Sequence, residues 1–207
     1  MVQRWVRQIR GGVAWGALAA GLVVGASAAD DDGDQSGPSE AAVAAEACTL
    51  DLRDWANGSP DSIFHAAEAG DVAAQYTFGE LCLFGYGVTQ DTKAGLEFLQ
   101  RAAAAHHALA LRQLGAIYEE GRLVPADRAR ALDYFVRAAD QGDAISAYLA
   151  GVKYYYGRHT SKNVPLAAKY LKIAAAAGRP AAEMLLGRIY AQGEGVPADP
   201  VEALRYE

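Results

Sequence analysis

The strongest constraint on this chain is that it aligns with itself every 36 residues. Gly79, Gly115, Gly151 and Gly187 fall in one column and Gly85, Gly121, Gly157 and Gly193 in another, with no insertion between rows. A third column holds Phe98, Tyr134, Tyr170 and Tyr206, and the pairs Ala102-Ala103, Ala138-Ala139 and Ala174-Ala175 recur at the same spacing. A fixed period of this length marks a solenoid, in which each unit buries its apolar face only against its neighbours.

Each row divides into two helical segments. The first follows Gly70, His106, Gly142 or Gly178 and carries small or apolar residues at helical spacing, as in Ala74, Phe78, Leu81, Cys82 and in Ala110, Leu114, Ile117, Tyr118. Gly85, Gly121, Gly157 or Gly193 ends it, because glycine takes the left-handed backbone that closes a helix without a Cβ clash. After a short loop, Asp91, Asp127, Asn163 or Asp199 supplies an N-cap oxygen for the second segment. Pro165 and Pro200 fall in first turns, where a missing N–H costs nothing. A glycine inside a helix costs ~1 kcal/mol relative to alanine, so its recurrence at 79, 115, 151 and 187 predicts close approach of a neighbouring helix. The paired alanines predict the same on the second segment.

Composition agrees with helices. The 207 residues are 52% hydrophobic, with alanine supplying much of that fraction and few runs of Val, Ile and Thr, so an all-α fold is expected. The formal net charge is −6 and no basic stripe is visible, which argues against a nucleic-acid partner.

Residues 1–28 read as a signal peptide. Arg4, Arg7 and Arg10 form a basic start, an uncharged stretch runs from Gly11 to Ala29, and Ala26-Ser27-Ala28 has the small-x-small pattern of a cleavage site, with the cut after Ala28 or Ala29. Such a protein is periplasmic or secreted. The rival reading is an inner-membrane anchor over residues 11–29, against which five glycines and the small residues at its end count. Residues 29–39, with Asp30, Asp31, Asp32 and Asp34, read as a disordered acidic linker, and residues 40–69 as N-terminal capping helices. The rows then cover 70–105, 106–141, 142–177 and an incomplete 178–207.

These rows resemble Sel1-like repeats, relatives of the tetratricopeptide class. The matching stretches are Gly70-Asp71 through Gln75-Tyr76, Phe78-Gly79, Gly85-Tyr86-Gly87-Val88, Asp91 and Ala102-Ala103, with Leu186-Gly187-Arg188-Ile189-Tyr190, Gly193-Glu194-Gly195-Val196 and Asp199 in the last row. The resemblance implies a right-handed α-solenoid of antiparallel helix pairs whose concave face binds proteins or peptides. This chain departs from it in three places. His106 replaces the inter-repeat glycine, Cys82 stands where Tyr118, Tyr154 and Tyr190 stand in later rows, and the third loop, Arg158-His159-Thr160-Ser161-Lys162, lacks the Gly-Val pair.

Two cysteines lie beyond the export signal, Cys48 and Cys82. Two readings are open: separate buried thiols, or a disulfide tying the capping segment to the first repeat, as the stapled repeats of cysteine-rich family members resemble.

No catalytic signature emerges. Ser-x-x-Lys, Gly-x-Ser-x-Gly, His-Glu-x-x-His and Cys-x-x-Cys are absent, and Gly193-Glu194-Gly195-Val196-Pro197-Ala198 mimics a dinucleotide fingerprint without a preceding strand. The four histidines read as surface residues rather than metal ligands, and Glu119-Glu120 as solvated acids near a helix end. No cofactor, metal or catalytic residue is expected, and the chain is not read as an enzyme.

A partner-binding face is sought where residues vary between rows yet share one helix face. That stripe is Tyr76, Glu80, Leu83; Arg112, Ala116, Glu119; Tyr148, Val152, Tyr155; and Met184, Arg188, Ala191. Tyrosine and arginine are frequent binding anchors, so Arg112, Tyr148 and Tyr155 lead, followed by Tyr76, Glu80 and Arg188. The competing reading is that these side chains pack against the next repeat. The sequence thus reads as a protein-interaction scaffold of the bacterial cell envelope. An envelope hydrolase, β-lactamase-like or peptidoglycan-acting, and a purely structural spacer are the alternatives.

Overall fold

The computed structural model describes residues 59–206, which contain nine helices and no strand. In chain order they are α1 (Pro60–Glu68), α2 (Val72–Phe84), α3 (Thr92–Ala104), α4 (Ala108–Glu120), α5 (Arg128–Asp140), α6 (Ala144–Tyr156), α7 (Val164–Ala176), α8 (Pro180–Gln192) and α9 (Pro200–Arg205). Consecutive helices pack on one another throughout, the pattern of an all-α solenoid. No helix among the described residues is long and apolar enough to cross a membrane. The stretches read from the sequence as an export signal and an acidic linker, and Cys48, lie outside the described residues.

The helices from α2 to α8 each run 13 residues, because both ends are fixed chemically. Asp91, Asp127 and Asn163 accept a hydrogen bond from the backbone N–H three residues on, and Asp199 accepts from Val201 and Glu202. Gly85, Gly121, Gly157 and Gly193 close the first helices in the left-handed conformation. Each loop is then locked by one repeated bond, from the N–H of Asp91, Asp127, Asn163 or Asp199 to the carbonyl of Cys82, Tyr118, Tyr154 or Tyr190.

Helix α1 extends the register upstream. Its Ala66-Ala67 occupies the column of Ala102-Ala103, Ala67 is fully buried, and the N–H of Asp71 bonds to Ala66 as that of His107 bonds to Ala102. It therefore takes the second-helix position of the repeat register, a match that the paired-alanine column already contained.

The in-helix glycines are explained by packing. A Cβ on Gly115 would stand 2.6 Å from Phe135 Cε1, and one on Gly151 would stand 2.7 Å from Leu171 Cγ. The aromatic column stacks across each pair, Tyr118 on Tyr134, Tyr154 on Tyr170 and Tyr190 on Tyr206. In the first row Cys82 leaves no ring to stack, and Phe78, Phe98 and Phe64 form an aromatic cluster instead.

Two of the departures from the repeat have a backbone consequence. His106 takes the inter-repeat glycine position at φ +60°, and His159 takes the column of Gly87 and Gly195 at φ +58°. Both rows keep the turn and accept the cost of a side chain in the left-handed region.

Candidate partner-binding face

The stripe read from the sequence runs along α2, α4, α6 and α8, and its two halves differ. In the first half the polar side chains are consumed by contacts between helices. Tyr76 packs its ring against His107 with centroids 5.1 Å apart and hydrogen-bonds to Glu80. Glu80 is buried, with Oε1 unpartnered; burial pushes its carboxyl up to about 7, against the opposing pull of the Tyr76 bond and the Arg112 charge. Arg112 donates through Nη1 to Asp143 at 2.8 Å, while the other oxygen of Asp143 caps α6 by accepting from Ser146. Leu83 and Ala116 are buried.

Glu119 ties the second repeat to the third. It accepts from Lys153 at 2.8 Å, and Lys153 is only 1% exposed. Reading Glu119-Glu120 as solvated acids is thus half right: Glu120 pairs with exposed Arg122, whereas Glu119 neutralises a buried ammonium. The sequence did carry a signal here, since Lys153 interrupts the column of Leu81, Ile117 and Ile189. Gln113 is likewise buried with neither amide atom partnered, in a column otherwise holding Thr77, Leu149 and Leu185.

The second half is built differently. Tyr148 lies under the Arg179 guanidinium, 5.8 Å from ring centroid to Cζ. Tyr155, about two turns further along the same face of α6 and buried like Tyr148, is flanked by Arg188 at 5.2 Å and by Lys162 at 5.4 Å. Arg188 also donates to the Tyr156 hydroxyl at 3.0 Å, and Arg158 stands over the Tyr156 ring. The Tyr155 hydroxyl donates to Glu194 Oε2 at 3.1 Å while Lys162 donates to Oε1. The Lys162 bond, with that of Tyr155, holds the Glu194 carboxyl below its usual range, and the same bond raises the Lys162 ammonium. Val152 is buried, whereas Ala191 and Met184, the latter 65% exposed, face solvent.

The structure therefore gathers Tyr155, Arg188, Lys162 and Glu194 into one aromatic and ionic cluster, pairs Tyr148 with Arg179, and places Tyr76, Glu80 and Arg112 in a separate, largely closed network; the rings of Tyr148 and Tyr155 are themselves buried. Arg179, Arg158, Lys162 and Glu194 line these tyrosines and were not singled out by pattern: Arg158 and Lys162 come from the irregular loop after α6, and Arg179 and Glu194 reach α6 only once the repeats stack.

The histidines need one correction. His107 is half-buried and caps α4, its Nδ1 accepting from Ala110 at 3.3 Å, and burial lowers its pKa. Cys82 is buried with a free thiol that burial, with the Asp91 charge, pushes up to about 12. Among the described residues no group of three or more His, Cys, Asp or Glu is placed to hold a metal ion.

The Sel1 repeat model matches residues 72–107, 108–143, 144–178 and 180–206, more than half of the chain. Among solved structures the chain is similar to a protective antigen of uropathogenic Escherichia coli strains displaying an SLR fold, at 29% identity and TM-score 0.63 over 72% of this chain and 32% of that one. It is also similar to a Sel1 repeat protein from Oxalobacter formigenes, at 30% identity and TM-score 0.62 over 72% of this chain and 44% of that one. The chain thus spans less than half the length of either. Among curated proteins no sequence matches it.

Proposed function

Because the chain belongs to the Sel1 repeat family, we propose that it is a protein-interaction scaffold that binds a protein or peptide partner on the first-helix face of its third and fourth repeats. The observation that carries this reading is the set of ring–cation contacts in which the buried rings of Tyr148 and Tyr155 and the exposed ring of Tyr156 hold Arg179, Arg188 and Arg158 in place before a partner arrives. Side chains ordered in advance lose less entropy on binding, and tyrosine and arginine offer wide contact with a polar end. The basic start and small-x-small pattern of residues 1–28 support a place in the cell envelope.

Affinity capture from envelope extract tests this. Immobilised chain is compared with a Tyr148→Ala, Tyr155→Ala, Arg188→Ala variant of equal helicity. A partner retained by the first and lost by the second is the expected result. If both retain the same proteins, or neither retains any, the assignment fails and the spacer reading gains, a reading that the ion-paired closure of Arg112 on Asp143 favours for the first two repeats.

A further inference from the structure

Several cations on this solenoid are each matched to one acid: Arg101 pairs with Glu68, Arg112 with Asp143, Lys153 with Glu119 and Lys169 with Asp140. The end of the stripe is arranged differently. Lys162 and Arg188 both flank Tyr155 and share one carboxylate, Glu194, whose proton affinity both lower. Arg188 Nε is buried and without a hydrogen-bond partner, so this guanidinium is anchored by Tyr156 and the Tyr155 ring rather than by an acid. A tyrosine face holds a cation in position while leaving its charge in place.

Glu194 shows what this arrangement accepts. Its carboxylate takes one hydrogen bond from a tyrosine hydroxyl and one from an ammonium, with a guanidinium alongside. It is carried on the α8–α9 loop between Gly193 and Gly195, both in the left-handed region, and reaches Tyr155 and Lys162 with its carboxylate. The surroundings are open to a second chain: Lys162 is 50% exposed and Tyr156 46%. Lys162 and Arg158 come from the α6–α7 loop, the one that departs most from the repeat pattern.

We propose that this cluster is the docking point for an acidic peptide segment of a partner protein, whose carboxylate displaces Glu194 from Tyr155 and Lys162 and adds a contact to Arg188. This rests on the scaffold reading and supplies the partner chemistry that reading leaves open. Glu194 is then an internal competitor: it keeps the site ordered and offsets one of its two flanking cations when empty, and its side chain swings away when a partner acid arrives. A peptide suits the site because exposed Tyr156 offers ring area beside the charges and a single carboxylate matches the two bonds Glu194 accepts, whereas a phosphate backbone is held by an extended basic stripe that the sequence does not show.

The test is fluorescence anisotropy with the full chain and a labelled Asp/Glu-rich peptide of twelve residues, beside the Asn/Gln peptide of the same length and single-stranded DNA of the same charge. The acidic peptide is expected to bind, the amide peptide not, and the DNA more weakly. Lys162→Ala with Arg188→Ala should weaken binding about tenfold, and Glu194→Gln should strengthen it about threefold by removing the competitor. Opposite signs from neighbouring substitutions cannot come from misfolding. Equal binding of the amide peptide, equal or tighter binding of DNA, no loss in the double variant, or no gain in Glu194→Gln would each overturn the proposal. If it fails while capture still depends on Tyr148, Tyr155 and Arg188, the scaffold reading stands and only the partner chemistry is wrong.

Discussion

Glu80 sits between Tyr76 and Arg112 with its carboxyl raised by burial from 4.5 to about 7. A raised acid stabilises the fold below its unfolded value and loses that contribution as pH climbs through the folded one. Stability is therefore expected to fall on the order of 3 kcal/mol between about pH 4.5 and 7 from this group. Glu80→Gln should flatten that decline, measured as urea midpoints at pH 5 and pH 8; a decline of undiminished size would show that Glu80 is not its source. His107 works in the opposite direction. Its depressed pKa means stability is lost as pH falls below about 6.5, when the ring that caps α4 must protonate. At His106 the left-handed backbone carries a side chain where three other rows have glycine, so His106→Gly should raise the melting temperature, by about 1 kcal/mol of stability.

At the scale of the element, helix pairs are held by the fit of a glycine against a neighbouring side chain, and that fit varies along the chain. Gly115→Ala and Gly151→Ala place a methyl within 2.7 Å of Phe135 or Leu171 and should cost about 1–3 kcal/mol in urea unfolding. Gly187→Ala meets nothing nearer than 3.5 Å and should be neutral or gain up to ~1 kcal/mol from helix propensity. Equal costs at all three positions would refute the packing account of this column. Lys153 binds elements together by charge instead, and Lys153→Ala, which strands Glu119, should cost about 3 kcal/mol or more. These rules were readable in part. Caps and glycine columns follow from local backbone chemistry and so repeat visibly, whereas the Lys153–Glu119 pair spans 34 residues and shows in the sequence only as a charge in an apolar column.

Across the whole molecule, a solenoid has no single core, and each helix draws stability from the ones beside it. Helices α4 to α7 are covered on both sides, whereas α9 has six residues and leaves Val201 and Leu204 exposed. Amide hydrogen exchange should accordingly be slowest in α4–α7 and fastest in α9. Uniform protection from α2 to α9 would indicate one global cooperative unit instead.

The sequence by itself determined the period, the pairing of helices, where each helix begins and ends, and which columns are packed, because these depend on contacts within a row or between identical positions of adjacent rows. It also carried, unread, the alanine pair that makes α1 part of the array. Which partners the variable stripe meets was settled by the stacking of the repeats. Arg112 reaches Asp143 across 31 residues and Tyr155 reaches Glu194 across 39, distances set by how successive pairs stack rather than by any local preference. Tyr76, Tyr148 and Tyr155 are all buried, and what differs is the partner each meets: His107 and Glu80 at Tyr76, but the part-exposed cations Arg179, Arg188 and Lys162 at the two later tyrosines.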